Sequence, residues 1–69
     1  MSKSYEMMVD GEGWRTIAAG SIAEAITVAT AITQGGDWDS DGTVTTVRVT
    51  VVKMDGDEET NRQVVSVEV

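Results

Sequence analysis

The chain contains no cysteine, histidine, proline, phenylalanine or leucine. Without cysteine there is no disulfide framework and no thiolate metal site. Without histidine the commonest general base and the commonest transition-metal ligand are gone. Catalysis would then need a carboxylate pair or an activated lysine in a pocket. A chain of 69 residues has little room for a closed cavity. The glycine-containing stretches DGEG (10–13) and QGGD (34–37) do not have the spacing of a phosphate-binding loop. The expectation is a non-enzymatic protein with no cofactor. The opening MSKSYEMMVD lacks the apolar run of a signal peptide, and no stretch is long enough to span a membrane, so an intracellular, cytoplasmic protein is expected.

Positive charge is scarce too. Twelve acids against five bases give a net charge of −7. Such a chain is repelled by nucleic acid and by anionic lipid and attracted to basic surfaces. Direct nucleic-acid and membrane partners are therefore excluded, and a protein partner with a basic surface is favoured.

What is present is β-branched. Eleven valines and four isoleucines suit pleated, half-buried surfaces, so most of the core is expected to be sheet within one domain, residues 1–69. YEMMV (5–9) alternates as a strand, with Tyr5, Met7 and Val9 on one side. DGEG (10–13) has turn chemistry, and WRTIAA (14–19) reads as a return strand or an extended lead into a helix. Ser21 and Glu24 form an S-x-x-E capping box, and Ile22, Ala25, Ile26, Ala29 and Ile32 make one apolar stripe. Thr27, Thr30 and Thr33 are expected outward, and Gly35-Gly36 is expected to end the helix in the left-handed conformation. A long strand follows in TVTTVRVTVVKM (43–54), with Val47, Val49 and Val51 facing one way, Thr46, Arg48, Thr50 and Val52 the other, and a bulge suggested near Thr45-Thr46. DGDEET (55–60) reads as a hairpin loop, and NRQVVSVEV (61–69) as the returning strand with Val65, Val67 and Val69 inward. The predicted fold is α+β: one helix across one face of a small, mainly antiparallel three- or four-stranded sheet, in the order β(β)αββ.

The acids concentrate in three loops on this reading. Asp10 and Glu12 lie in the first turn, Asp37, Asp39 and Asp41 after the helix, and Asp55, Asp57, Glu58 and Glu59 in the last hairpin. If residues 14–19 return, the first turn and the post-helix loop share one end of the molecule, and the last hairpin occupies the other. The exposed sheet face is expected to be charge-mixed, with the strand bases paired to Glu6 or Glu68.

DWDSDG (37–42) matches the first half of an EF-hand loop, with oxygen ligands at alternate positions and a glycine at the sixth. The match fails at position 12, where Arg48 stands in place of the closing glutamate. A calcium-binding module using Asp37, Asp39 and Asp41 remains one alternative; a small phage structural or interaction protein, acidic for solubility, is another. Trp38, between two aspartates, either folds back on the core or is exposed as an interaction anchor. An extended D-x-D-x-D sets its carboxylates roughly 6–7 Å apart on one side, and duplex DNA carries a phosphate about every 1.7 Å of axis. Such a surface coarsely imitates a phosphate track, and a basic groove would accept it through the same electrostatics.

IAAGSIAEAITVATA (17–31) resembles small phage-encoded anti-CRISPR proteins of βαββ type, and GTVTTVRV (42–49) with its closing hairpin is similar to that group in length and order. The resemblance implies an inhibitor that acts in the bacterial host cell, binds the type I Cascade surveillance complex and blocks its target DNA. Some members of the group do so as DNA mimics. The group has no common catalytic motif, so the partner-binding candidates rest on charge placement: Asp10, Glu12, Asp37, Trp38, Asp39, Asp41, Asp55, Asp57, Glu58 and Glu59.

Overall fold

A computed structural model describes residues 3–36 and 46–69. Its elements are β1 (Lys3–Val9), β2 (Arg15–Ile17), α1 (Ile22–Gln34), β3 (Thr46–Asp55) and β4 (Glu58–Glu68). The four strands form one antiparallel sheet in the order β2-β1-β3-β4, and the helix packs on one face of it. The predicted α+β fold is therefore observed in its four-stranded form.

Register explains the core. Tyr5 pairs with Ile17, Met7 with Val51, Val9 with Val49, and Val47 with Val67. Because side chains alternate across a sheet, these residues fall on one face, and with Ala25 and Ala29 of the helix they form the buried cluster, against which the half-buried Val47 packs. Alanines at the contact let the helix sit close to bulky valines and methionine. Ala25 and Ala29 are fully buried.

The helix starts as its capping residues dictate. Ser21 is extended and its Oγ accepts a hydrogen bond from the Glu24 amide at 3.1 Å. The return bond is displaced by one residue: Glu24 Oε1 accepts from the amide of Gly20, also at 3.1 Å. The other end differs from expectation. Gly35 closes the helix in right-handed geometry, φ −81°, with its amide donating to Ala31, so no left-handed residue is used there. The apolar stripe also drifts. Thr33, expected outward, is only 2% exposed, while Ile32 is on the surface. The 3.6-residue repeat carries the buried line from Ala25 through Ala29 to Thr33, which satisfies its hydroxyl by donating to the Ala29 carbonyl at 2.7 Å.

Among the described residues two turns use glycine at positive φ. Gly11, at φ 87°, is the third residue of a turn closed by the Glu12 amide on the Val9 carbonyl at 2.8 Å, the pattern of a type II turn. Gly56, at φ 65°, is the first central residue of the β3–β4 hairpin, as a type II′ turn requires. That hairpin is tighter than expected: only Gly56 and Asp57 are turn residues, while Asp55, Glu58, Glu59 and Thr60 belong to strands. A bulge lies between Lys53 and Met54, opposite Thr60, whose hydroxyl donates to the Lys53 carbonyl at 3.2 Å. The bulge expected near Thr45-Thr46 falls partly outside the described residues; Thr46 itself pairs regularly with Glu68.

Candidate functional site

Strand directions fix the two ends of the molecule. β1 runs towards Val9, β2 returns, α1 runs forward again, and β3 starts opposite Val9. The first turn, the helix C-terminus, the start of β3 and the end of β4 therefore share one end. Two bonds tie that end together: the Asp10 amide donates to the Arg48 carbonyl at 2.9 Å, and Gln34 Nε2 donates to the Glu68 carbonyl at 3.1 Å. A cleft of about 530 Å³ opens there between Glu12, Trp14 and Arg15 on one side and Ile32, Thr33 and Gly36 on the other, floored by Met7 and Val9.

Of the candidate partner-binding residues, Asp10 and Glu12 sit at this end, both exposed. Asp37, Trp38, Asp39 and Asp41 lie outside the described residues, and so does the calcium alternative built on them. Their flanking residues, Gly36 and Thr46, belong to this same end. Asp55, Asp57 and Glu58 are at the opposite end, beside the start of β1, with Lys3 paired to Asp55 in register. Asp55 is half-buried, while Asp57 and Glu58 are exposed.

Glu59 departs from this grouping. It lies on β4 with its side chain on the sheet face opposite the helix, where both its oxygens accept from Arg62, at 2.7 and 3.1 Å. These hydrogen bonds, opposed by desolvation and reinforced to a lesser degree by the guanidinium charge, hold the Glu59 carboxyl below its usual range. The same contacts raise the Arg62 guanidinium. Glu59 is thus a neutralised carboxylate rather than a free one. The pairing expected between strand bases and Glu6 or Glu68 is replaced, among the described residues, by this one ion pair.

The open face, expected to be charge-mixed and to carry Val52, is more apolar than sequence reasoning found. Met8, Val52, Met54 and Val64 point away from the helix, in register with one another and with Glu6 and Arg62. Val52 is nevertheless only 2% exposed. Trp14 and Arg62 reach over the sheet from opposite edges, with the guanidinium 5.9 Å from the indole ring centre. With Glu6, Met54 and Glu59 they enclose a shallow groove above Val52. Trp14 stays 45% exposed and Val64 55%. The signal was legible in three apolar doublets, Met7-Met8, Val51-Val52 and Val64-Val65, because an apolar pair places one member on each face.

Among the described residues no group of three or more acidic side chains is arranged to hold a metal ion, and no helix is long and apolar enough to cross a membrane. Comparison with protein families, with curated proteins and with solved structures found no match to this chain.

Proposed function

We propose that the protein is a non-enzymatic, acidic inhibitor of the anti-CRISPR kind. It docks on a basic, nucleic-acid-binding surface of a type I Cascade complex and keeps target DNA off that surface. The observation that carries this reading is the placement of Asp10 and Glu12 at the same end as Gly36 and Thr46, the residues between which three further aspartates lie in sequence. The net charge of −7 supports it, as does the grouping of Asp55, Asp57 and Glu58 at the other end. Carboxylates spread over an end attract a groove built to release counterions from a phosphate backbone.

The test is co-purification with Cascade at low and high salt, using the native chain and a variant with Asp37, Asp39 and Asp41 changed to Asn. The expected result is binding that weakens as salt rises and weakens further in the variant, with target DNA displaced in proportion. Equal retention of native and variant chains would remove the acidic end as the contact. A rise in melting temperature with millimolar calcium, lost in the same variant, would instead favour the cation-binding module, since a ligand held only by the native state stabilises it.

A further inference from the structure

β4 is the longest strand, eleven residues, and it is the outermost strand on its side of the sheet. The other outer strand, β2, has three residues, a length that offers little to a stray partner. β4 has none of that protection along its second half. Its one irregularity, the bulge at Thr60, lies near the hairpin. It carries neither proline nor lysine, and Gln63–Val67 is an uncharged, valine-rich run. Among the described residues no strand pairs with its outer edge. Unpaired backbone donors and acceptors on a long strand are a template for another strand.

The charges on β4 say which strand. Arg62 and Glu68 bracket the uncharged run at equal distances from Val65, and both lie on the open face. An antiparallel partner must keep each residue opposite one on the same face, so in a two-fold pair a residue at the centre faces its own copy. Centring on Arg62 sets arginine against arginine. Centring on Gln63 sets Glu58, displaced one place by the bulge, against Val67 and Arg62 against Val64, which leaves no opposite charge across from Glu68. Centring on Val64 sets Glu59, displaced one place by the bulge, against Glu68 and leaves Arg62 opposite Ser66. Centring on Val65 sets Arg62, whose guanidinium already holds Glu59 of its own chain, opposite Glu68 twice, once on each side of the axis, with Val64 facing Ser66 and Gln63 facing Val67. Opposite charges directly across a strand pair are favourable and like charges are not.

We propose that the outer edge of β4 pairs antiparallel with β4 of a second copy of this chain, centred on Val65, giving a continuous eight-stranded sheet held in register by two Arg62–Glu68 contacts. The inference stands apart from the Cascade reading, which concerns the acidic ends.

Sedimentation equilibrium over a wide concentration range tests it. The native chain is expected to have twice the monomer mass at the upper concentrations. Arg62→Glu and Glu68→Arg are each expected to weaken the dimer by about tenfold or more, and the double exchange to restore it. Far-ultraviolet circular dichroism checks that each variant is folded. A second measurement does not depend on charge. The chain has no cysteine, so Val65→Cys should oxidise to a disulfide-linked dimer while Gln63→Cys should not. A native chain that stays monomeric throughout, a dimer indifferent to both charge reversals, or cross-linking at Gln63 in place of Val65 would each overturn the proposal. Higher salt separates the two ideas. It screens the repulsion between two chains of charge −7 and so preserves self-association, whereas it weakens capture by a basic partner.

Discussion

Val52 is a valine on the solvent side of a sheet, yet it is as buried as the core. Its shelter is two long side chains, an indole from one edge and a guanidinium from the other, and the guanidinium is itself oriented by Glu59. Flat cations stack well on aromatic faces, and arginine keeps an apolar stem against the surface it crosses. Trp14→Ala should therefore uncover Val52 and lower unfolding stability by about 1–2 kcal/mol in denaturant titration. Arg62→Lys should give a smaller loss in the same direction, because lysine keeps the charge but not the two-pronged contact. The pair is also pH-sensitive in a fixed sense. Glu59 is held below its usual range in the folded state, so its contribution is present above the unfolded carboxylate range and is lost as pH falls through the folded value. Since both partners are solvent-exposed, that acid-side loss is small and should vanish in Glu59→Gln. Unfolding curves for Trp14→Ala that overlay the native ones would mean that the indole covers nothing of consequence.

At the scale of elements, the parts governed by local chemistry were legible and the parts governed by cross-sheet register were not. The capping serine, the first glycine turn and the alternation of Tyr5, Met7 and Val9 are local, and each is present as expected. Thr33 and Ile32 exchanged places because the helix axis, set by packing on the sheet, decides which residue of the last turn faces in. The hairpin shrank to two residues because Glu58–Thr60 found partners on β3, which turn composition does not reveal. Glu59 left the acidic group for the same reason. The acidic stretch at 37–41 was the plainest sequence feature, but it lies outside the described residues. Val52 is on the face opposite Val51 as expected, but the alternation of β1 and β4 assigns only Met7 and Val65 of their doublets to the core, so Met8 and Val64 do not announce an apolar open face. The helix offers the cleanest test at this scale. Its residues Thr27, Thr30 and Thr33 all donate their hydroxyls back to the chain one turn earlier, and threonine is a weak helix former. The helix therefore depends on its cap and on packing. Ser21→Ala should cost about 1 kcal/mol, which for a domain of this size lowers the melting temperature by about 4–8 °C. A change of under a degree would show that packing alone sets the helix start.

At the scale of the whole molecule, charge and fold pull against each other. The sheet and helix gather acidic residues at both ends, and among the described residues only Glu59 has a basic partner within ion-pair distance. A compact chain of charge −7 repels itself, and that repulsion is long-ranged enough to be screened by ordinary salt, whose Debye length falls from about 30 Å at 0.01 M to about 3 Å at 1 M. The exposed Arg62–Glu59 pair that salt would weaken is worth little beside this. Raising sodium chloride from about 0.01 M to about 0.5 M should therefore increase the melting temperature of the native chain, measured at a concentration low enough to keep it monomeric. Replacing Asp10 and Glu12 with their amides should raise the low-salt melting temperature and flatten the salt dependence, because it removes two of the charges crowded at one end. If the native melting temperature falls with salt instead, attractive pairs dominate the surface, and the ends do not carry the unbalanced negative potential on which capture by a basic partner depends.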